Sequence, residues 1–222
     1  MDMEFSHISV LFDETIESLD IKKDGLYVDC TCGGAGHSRA ILERIPDGVL
    51  VAIDRDPDAI KVITERIGNL PQVEIVNDVF NNIKSILNGR QADGILADLG
   101  VSSFQLDTPE RGFSFHHDAP LDMRMSKSGK SAYDVVNGYT EQELCNIISR
   151  YGEEKFARNI AKNIVKAKEQ KKIETTLELA ELIKEDSKYL DNLSCYSTSN
   201  RMKLSATAEK GTKKIKEIAI II

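Results

Sequence analysis

Between Leu26 and Asp98 short apolar runs alternate with amphipathic stretches, and no other feature of the chain limits its fold so tightly. LYVDC (26–30) is a short apolar run closed by glycines. SRAILERI (38–45) spaces Ala40, Ile41, Leu42 and Ile45 as one face of a helix. VLVAID (49–54) is apolar up to its last residue, as a strand covered on both faces is. Pro57 stands in the first turn of the next helix, DAIKVITERI (58–67), where its missing N–H leaves no bond unmade. VEIVND (73–78) reads as a third strand, NNIKSIL (81–87) as a short helix and DGILADLG (93–100) as a fourth strand. Strands in strict alternation with helices predict an α/β fold with a parallel, doubly wound, Rossmann-like sheet.

After Gly100 the pattern changes. Residues 101–130 are rich in Ser, Asp, Gly, Arg and Met and read as one long ordered loop, a kind of segment that is usually functional. Thr140 and Glu143 form a T-x-x-E capping box that opens the helix TEQELCNIISRYG. EEKFARNIAKNIVKAKE (153–169) places Phe156, Ala157, Ile160, Ala161, Ile164 and Val165 on one face, with Lys155, Arg158, Lys162, Lys166 and Lys168 around the rest. Thr175 with Glu178 opens a third helix, TLELAELIK (176–184). From Glu185 the chain is rich in Ser, Thr, Lys and Asn, ends in IAIII and carries only weak helix or strand signals. The expected division is therefore 1–105, 106–184 and a divergent tail over 185–222.

At 222 residues, 41% hydrophobic and 29% charged, the chain can bury a sizeable core. Its net charge of −7 gives no overall basic footprint for nucleic acid, which leaves room only for a local basic face. No apolar run of about 18 residues suggests a membrane span, and MDMEFSHISV lacks the apolar stretch of a signal peptide. Cys30, Cys32, Cys145 and Cys195 show no second pair that would complete a zinc site. Reduced thiols and a cytoplasmic location are the expectation.

The candidate chemistry lies at the predicted strand ends. A turn containing Gly33, Gly34 and Gly36 between strand one and helix one lets backbone approach a ligand closely. Asp54 ends strand two, 18 positions after Gly36, where a carboxylate can hold the ribose hydroxyls of a nucleotide-like cofactor. Ser38 and Arg39 stand where a dinucleotide fingerprint would need its third glycine. An acidic residue opening the turn, Asp29, followed by G-x-A-G is closer to the arrangement in S-adenosylmethionine (SAM) methyltransferases. Asp29 can hold turn amides, meet the SAM ammonium or simply cap the turn, and all three stay open. Phe80, beyond strand three, can stack on adenine or pack in the core. Asp98 ends strand four, near the point where open α/β sheets bind ligands. His116 and His117 lack partners at metal-ligand spacing, so no metal is expected.

The stretches HISVLFDETIESL, DCTCGGAGHSRAIL, AIDRDPDAI, DGILADLGVSSFQLDTPERGFSFHHDAPLDMRM and YGEEKFARNIAKNIV closely resemble the RsmH (MraW) family, bacterial 16S ribosomal RNA cytosine-N4 methyltransferases. The resemblance runs from about His7 to Lys184. It implies a class I SAM-methyltransferase fold with a helical domain inserted after strand four. It implies SAM contacts at Ala35, Gly36, His37, Asp54, Phe80, Asp98 and Gln105, with Ala35 where the family usually has glycine. It also implies a cytidine in the decoding region of 16S rRNA as substrate, recognised through the inserted domain and its cationic helix face at 155–168. The N4 amino group of cytosine is a poor nucleophile, and a carboxylate at Asp98 could accept one of its N–H bonds and orient its lone pair for attack.

Family members continue with segments resembling HPA-x-R-TFQA-x-RI and FHSLEDR, and neither occurs here. A truncated or frameshifted reading frame accounts for this and for the change of composition at Glu185. It implies an incomplete sheet in which strand four is an exposed edge. Three readings follow: an active rRNA methyltransferase, a homologue that binds SAM or RNA without catalysis, and a nucleotide-dependent oxidoreductase that the missing third glycine disfavours. A homodimer is neither required nor excluded.

Overall fold

The computed structural model of the protein describes residues 12–186. They form two compact units, one of residues 12–102 with 125–127 and the other of 103–124 with 128–186.

The first unit is a parallel four-stranded sheet with flanking helices. In chain order it runs α1 (Phe12–Ser18), β1 (Leu26–Asp29), α2 (Gly36–Leu42), β2 (Val49–Asp54), α3 (Pro57–Ile67), β3 (Val73–Asn77), a 3₁₀ turn (Phe80–Asn82), α4 (Ile83–Leu87) and β4 (Gly94–Leu96). The sheet order is β3-β2-β1-β4, so the chain starts in the middle and reverses direction across β1. That reversal makes the gap beyond β1 the switch point, where open α/β sheets hold ligands.

Alternation along the strands sorts side chains to two faces. Tyr27, Leu50, Ala52 and Leu96 pack with Ile16 of α1, Ile41 of α2 and Ile63 and Ile67 of α3. Val28, Val51 and Ile53 pack on the other face with Leu87 of α4. Each fully buried side chain of this size contributes about 1.5–3 kcal/mol. Gly94 is required by packing, because a Cβ there would lie 2.8 Å from the Tyr27 ring. The α3 entry follows the sequence: Asp56 accepts from the Asp58 N–H at 3.0 Å and Pro57 fills the first helical position.

Strand four is shorter than its sequence suggests. It stops at Leu96 because β1, its partner, ends at Asp29, and the last bond runs from Cys30 N–H to Leu96 C=O at 2.8 Å. Two residues on, the Asp98 amide donates to the Thr31 hydroxyl instead of a strand. Ile95, in register with Val28, is 54% exposed, and Leu99 is more exposed still. Among the described residues nothing pairs with the outer edge of β4.

The second unit is helical: α5 (Ser103–Asp107), a 3₁₀ turn (Pro109–Arg111), α6 (Ala132–Gly138), α7 (Glu141–Gly152), α8 (Ala157–Gln170) and α9 (Thr176–Asp186). Its core joins Val135 and Val136 of α6, Leu144 and Ile148 of α7, Ile160, Ala161 and Ile164 of α8, and Leu179 and Ile183 of α9. These are the i, i+3, i+4 spacings of single helix faces. The Thr140–Glu143 box opens α7 as the sequence implies, and a second box of Ser131 with Asp134 opens α6. The segment 101–130 is less irregular than expected. It contains α5 and the 3₁₀ turn, and Pro120 bridges Thr175. No described helix is long and apolar enough to cross a membrane. The tail beyond 186 lies outside the described residues.

Candidate cofactor site

The turn after β1 is held from four sides. Cys32 N–H donates to Ile53 C=O of β2 at 3.1 Å. Gly33, at φ +44°, donates its N–H to Asp54 Oδ2 at 3.0 Å. The Gly34 carbonyl accepts from the Arg66 guanidinium of α3. The fourth hold is Asp29, which is fully buried. Its Oδ1 accepts from Thr31 N–H at 3.1 Å and its Oδ2 from the Ser38 hydroxyl at 2.6 Å. Of the three readings open for Asp29, the structure uses it as an internal brace for the turn.

Asp54 joins two loops. Oδ2 takes the Gly33 amide, while Oδ1 takes the Asp56 amide at 2.8 Å. The Asp54 backbone carbonyl also accepts from Asp78 N–H at 3.1 Å and from the Asn77 side chain at 2.9 Å. The ends of β1, β2 and β3 are thus tied at one residue. Burial pushes both carboxyls up from the ordinary range, Asp29 and Asp54 alike, against hydrogen bonds that pull them down.

Ala35 is fully buried and sits at φ 69°, ψ 17°, as the N-cap of α2. A side chain in that left-handed conformation costs roughly 1–2 kcal/mol. The methyl group is accommodated at the price of backbone strain. Gly36 and His37 follow as the first residues of α2. His37 is buried and stacks on Phe12, with ring centroids 5.2 Å apart. Among the described residues, its Nε2 is the buried side-chain polar atom without a hydrogen-bond partner. An orphaned buried group of this kind costs about 1–3 kcal/mol, which a polar group of a bound molecule could return.

Phe80 is 40% exposed just beyond β3, so its ring is not core. Asp98 is exposed, and its backbone is held at the first turn by the 2.8 Å bond to Thr31. Gly33, Gly34, Ala35, Gly36, His37, Asp54, Phe80 and Asp98 therefore all lie at the carboxyl ends of the four strands of the first unit. Gln105 is buried on α5 of the second unit. Sequence reasoning missed Thr31, Ser38 and Arg66 as supports of the turn. Among the described residues no cluster of three or more His, Cys, Asp or Glu side chains could hold a metal ion. Cys32 is buried, and burial pushes its thiol far above the usual range.

Residues 4–196 match the profile of the MraW methylase family. The chain belongs to the MraW methylase family. With the parallel 3-2-1-4 sheet, membership makes this a class I methyltransferase fold. The chain is 54% identical over 187 residues to the ribosomal RNA small subunit methyltransferase H of Clostridium botulinum strain Kyoto, covering 82% of this chain and 60% of that protein. It is 53% identical over 189 residues to ribosomal RNA small subunit methyltransferase H 2 of Agathobacter rectalis, with the same coverage of each. The chain thus spans about 60% of the length of the curated relatives it matches.

Proposed function

We propose that this chain binds SAM at the carboxyl ends of β1–β4 and methylates the N4 amino group of a cytidine in the decoding region of 16S rRNA, in the cytoplasm. The observation that carries the cofactor reading is the unpartnered, buried His37 Nε2 at the start of α2, next to the turn whose Gly33 amide is held by Asp54. The fit extends to the neighbouring groups. Asp54 is an acceptor for ribose hydroxyls, Phe80 offers an exposed ring to adenine, and the close-packed turn from Gly33 to Gly36 admits backbone contact. Gln105 joins the set in this proposal. When bound, SAM supplies an electrophilic methyl group on a sulfonium.

The remaining work falls to this chain's own side chains. The Asp98 carboxylate accepts one N–H of the cytosine amino group, which orients the nitrogen lone pair away from the ring. It then takes the proton that the nitrogen sheds as its new bond to carbon forms. Positioning of this kind supplies most of the acceleration. The base has to be unpaired or flipped out to reach the carboxylate. The second unit contributes RNA contacts through the basic outer face of α8.

Calorimetric titration with SAM and transfer of tritiated methyl to small ribosomal subunits test the proposal. Asp98→Ala is expected to abolish transfer while circular dichroism stays unchanged; full activity in that variant sinks the assignment. A second reading is favoured by the β4 edge, with which nothing pairs among the described residues and where Ile95 and Leu99 are exposed. In that reading the chain binds SAM or RNA and does not catalyse. SAM binding with no transfer by the wild-type chain is its signature.

A further inference from the structure

Most large apolar side chains of the second unit face its core; the exposed ones are Tyr133 on α6 and, at one corner, Tyr151 and Phe156. Tyr151, in the last turn of α7, is 62% exposed, and Phe156, at the start of α8, is 41% exposed. They stand five positions apart on either side of a tight corner. There Glu153 takes a left-handed conformation and the Glu154 carboxylate accepts the Phe156 amide at 2.9 Å. Tyr151 leaves most of its surface in water, so burial accounts for little of it, and Phe156 keeps part of its surface open beside it in the chain.

The charge around them has one sign in excess. From Arg150 to Lys168 there are six basic residues, Arg150, Lys155, Arg158, Lys162, Lys166 and Lys168, against the acidic Glu153 and Glu154, while the whole chain carries −7. Glu154 is engaged at the α8 start. Lys168 is turned away, donating to the carbonyls of Val136 in α6 and of Tyr139 just after it. The Arg150 guanidinium lies 5.7 Å from the Tyr151 ring centroid and leaves the ring open to solvent. Arg158, Lys162 and Lys166 are all exposed, one every four residues, opposite the buried Ile160, Ala161 and Ile164. Four residues of helix rise about 6 Å, so these cations form a row along the exposed side of α8, which begins at the corner that carries the two rings.

Aromatic faces next to a line of cations are what a single nucleic-acid strand uses: bases stack on the rings and phosphates track the charges. A duplex buries its base faces and would use the charges only. We propose that Tyr151 and Phe156 form a stacking platform for unpaired RNA bases, with Arg158, Lys162 and Lys166 following the adjoining backbone. The proposal rests on the reading of the second unit as the RNA-binding part and names the residues and the RNA form it takes.

The test uses the full chain and a labelled, unpaired RNA of about ten nucleotides, alone and annealed to its complement, with anisotropy read across a salt titration. Unpaired RNA is expected to bind more tightly than the duplex. Tyr151→Ala, Tyr151→Leu and Phe156→Ala should each weaken it about tenfold, with Tyr151→Phe close to wild type. The ring variants should leave the salt slope unchanged. The double variant Arg158→Gln with Lys162→Gln should lower the slope by about 1.4, two charges at about 0.7 each. Circular dichroism on every variant guards against unfolding. Absence of RNA binding, equal affinity for duplex and single strand, unchanged affinity in Tyr151→Ala, or equal competition by polyglutamate overturns the platform. SAM titration on the same samples keeps the two readings separable, since loss of SAM binding counts against the proposed function and leaves the platform standing.

Discussion

Two carboxylates of the first unit turn inward at the strand ends, while two of the second sit outside and close helices. Asp29 and Asp54 are drawn into the turn after β1, where burial raises both carboxyls above the ordinary range. Asp134 and Glu143 stay at the surface as the far ends of capping boxes, and the amides and hydroxyls of Ser131 and Thr140 hold them below it. The same residue types thus serve opposite purposes. Inward carboxylates brace a strained turn at a cost to the free protein. Outward ones stabilise the helices that carry them.

Core truncation is the largest way to challenge this comparison. Leu144→Ala in the second unit and Ile53→Ala in the first should each cost about 2–5 kcal/mol by chemical denaturation, since both side chains are fully buried. A much smaller loss at either site would mean that its unit is not close-packed.

A single kind of substitution should then act with opposite sign in the two units. Ala35→Gly relieves the left-handed backbone at φ 69° and is expected to stabilise the protein by about 1 kcal/mol. Ala161→Gly, in the interior of α8, is expected to destabilise it by about 1 kcal/mol or more. Thermal melts of the two variants that shift in the same direction would break the contrast.

Thr31→Val removes the acceptor that holds the Asp98 amide. Stability should fall by about 1 kcal/mol, and methyl transfer should fall by more than that loss explains, because Asp98 is left unanchored. Equal losses in both would reduce Thr31 to a structural group.

The smallest effect is one of pH. A carboxyl whose folded pKa lies above its unfolded value penalises the fold as pH rises through that window, so Asp29 and Asp54 favour the free protein on acidification. Glu143 and Glu178 have lowered values, and their contribution is lost only as pH falls below the ordinary carboxylate range. SAM binding should behave oppositely to the free first unit. In the proposed site Asp54 acts as an ionised acceptor, so affinity should begin to weaken at a higher pH than for an ordinary aspartate. Calorimetry from neutral to mildly acidic pH checks this, and a flat profile would separate Asp54 from the cofactor.

Legibility followed the same division. The VLVAID run, apolar up to Asp54, announces β2, and T-x-x-E at Thr140 announces α7, because both signals are local. Helix α6 escaped notice because its box closes with Asp134 where the familiar pattern has Glu or Gln. Strand four was read too long because its end is set by β1, some 67 residues earlier in the chain. The glycines of the turn and Asp54 were visible as candidates. Their bracing was not, since Ser38, Thr31 and Arg66 act through contacts that no short motif encodes.

The buried thiol of Cys32 gives that turn a clock. Its amide is tied to β2 and its sulfur is shielded from water and held protonated by burial. An alkylating reagent can reach it only when the turn comes apart, so the labelling rate times how often that happens. The same rate, followed as ligand is added, reads occupancy of the turn without any assay of catalysis.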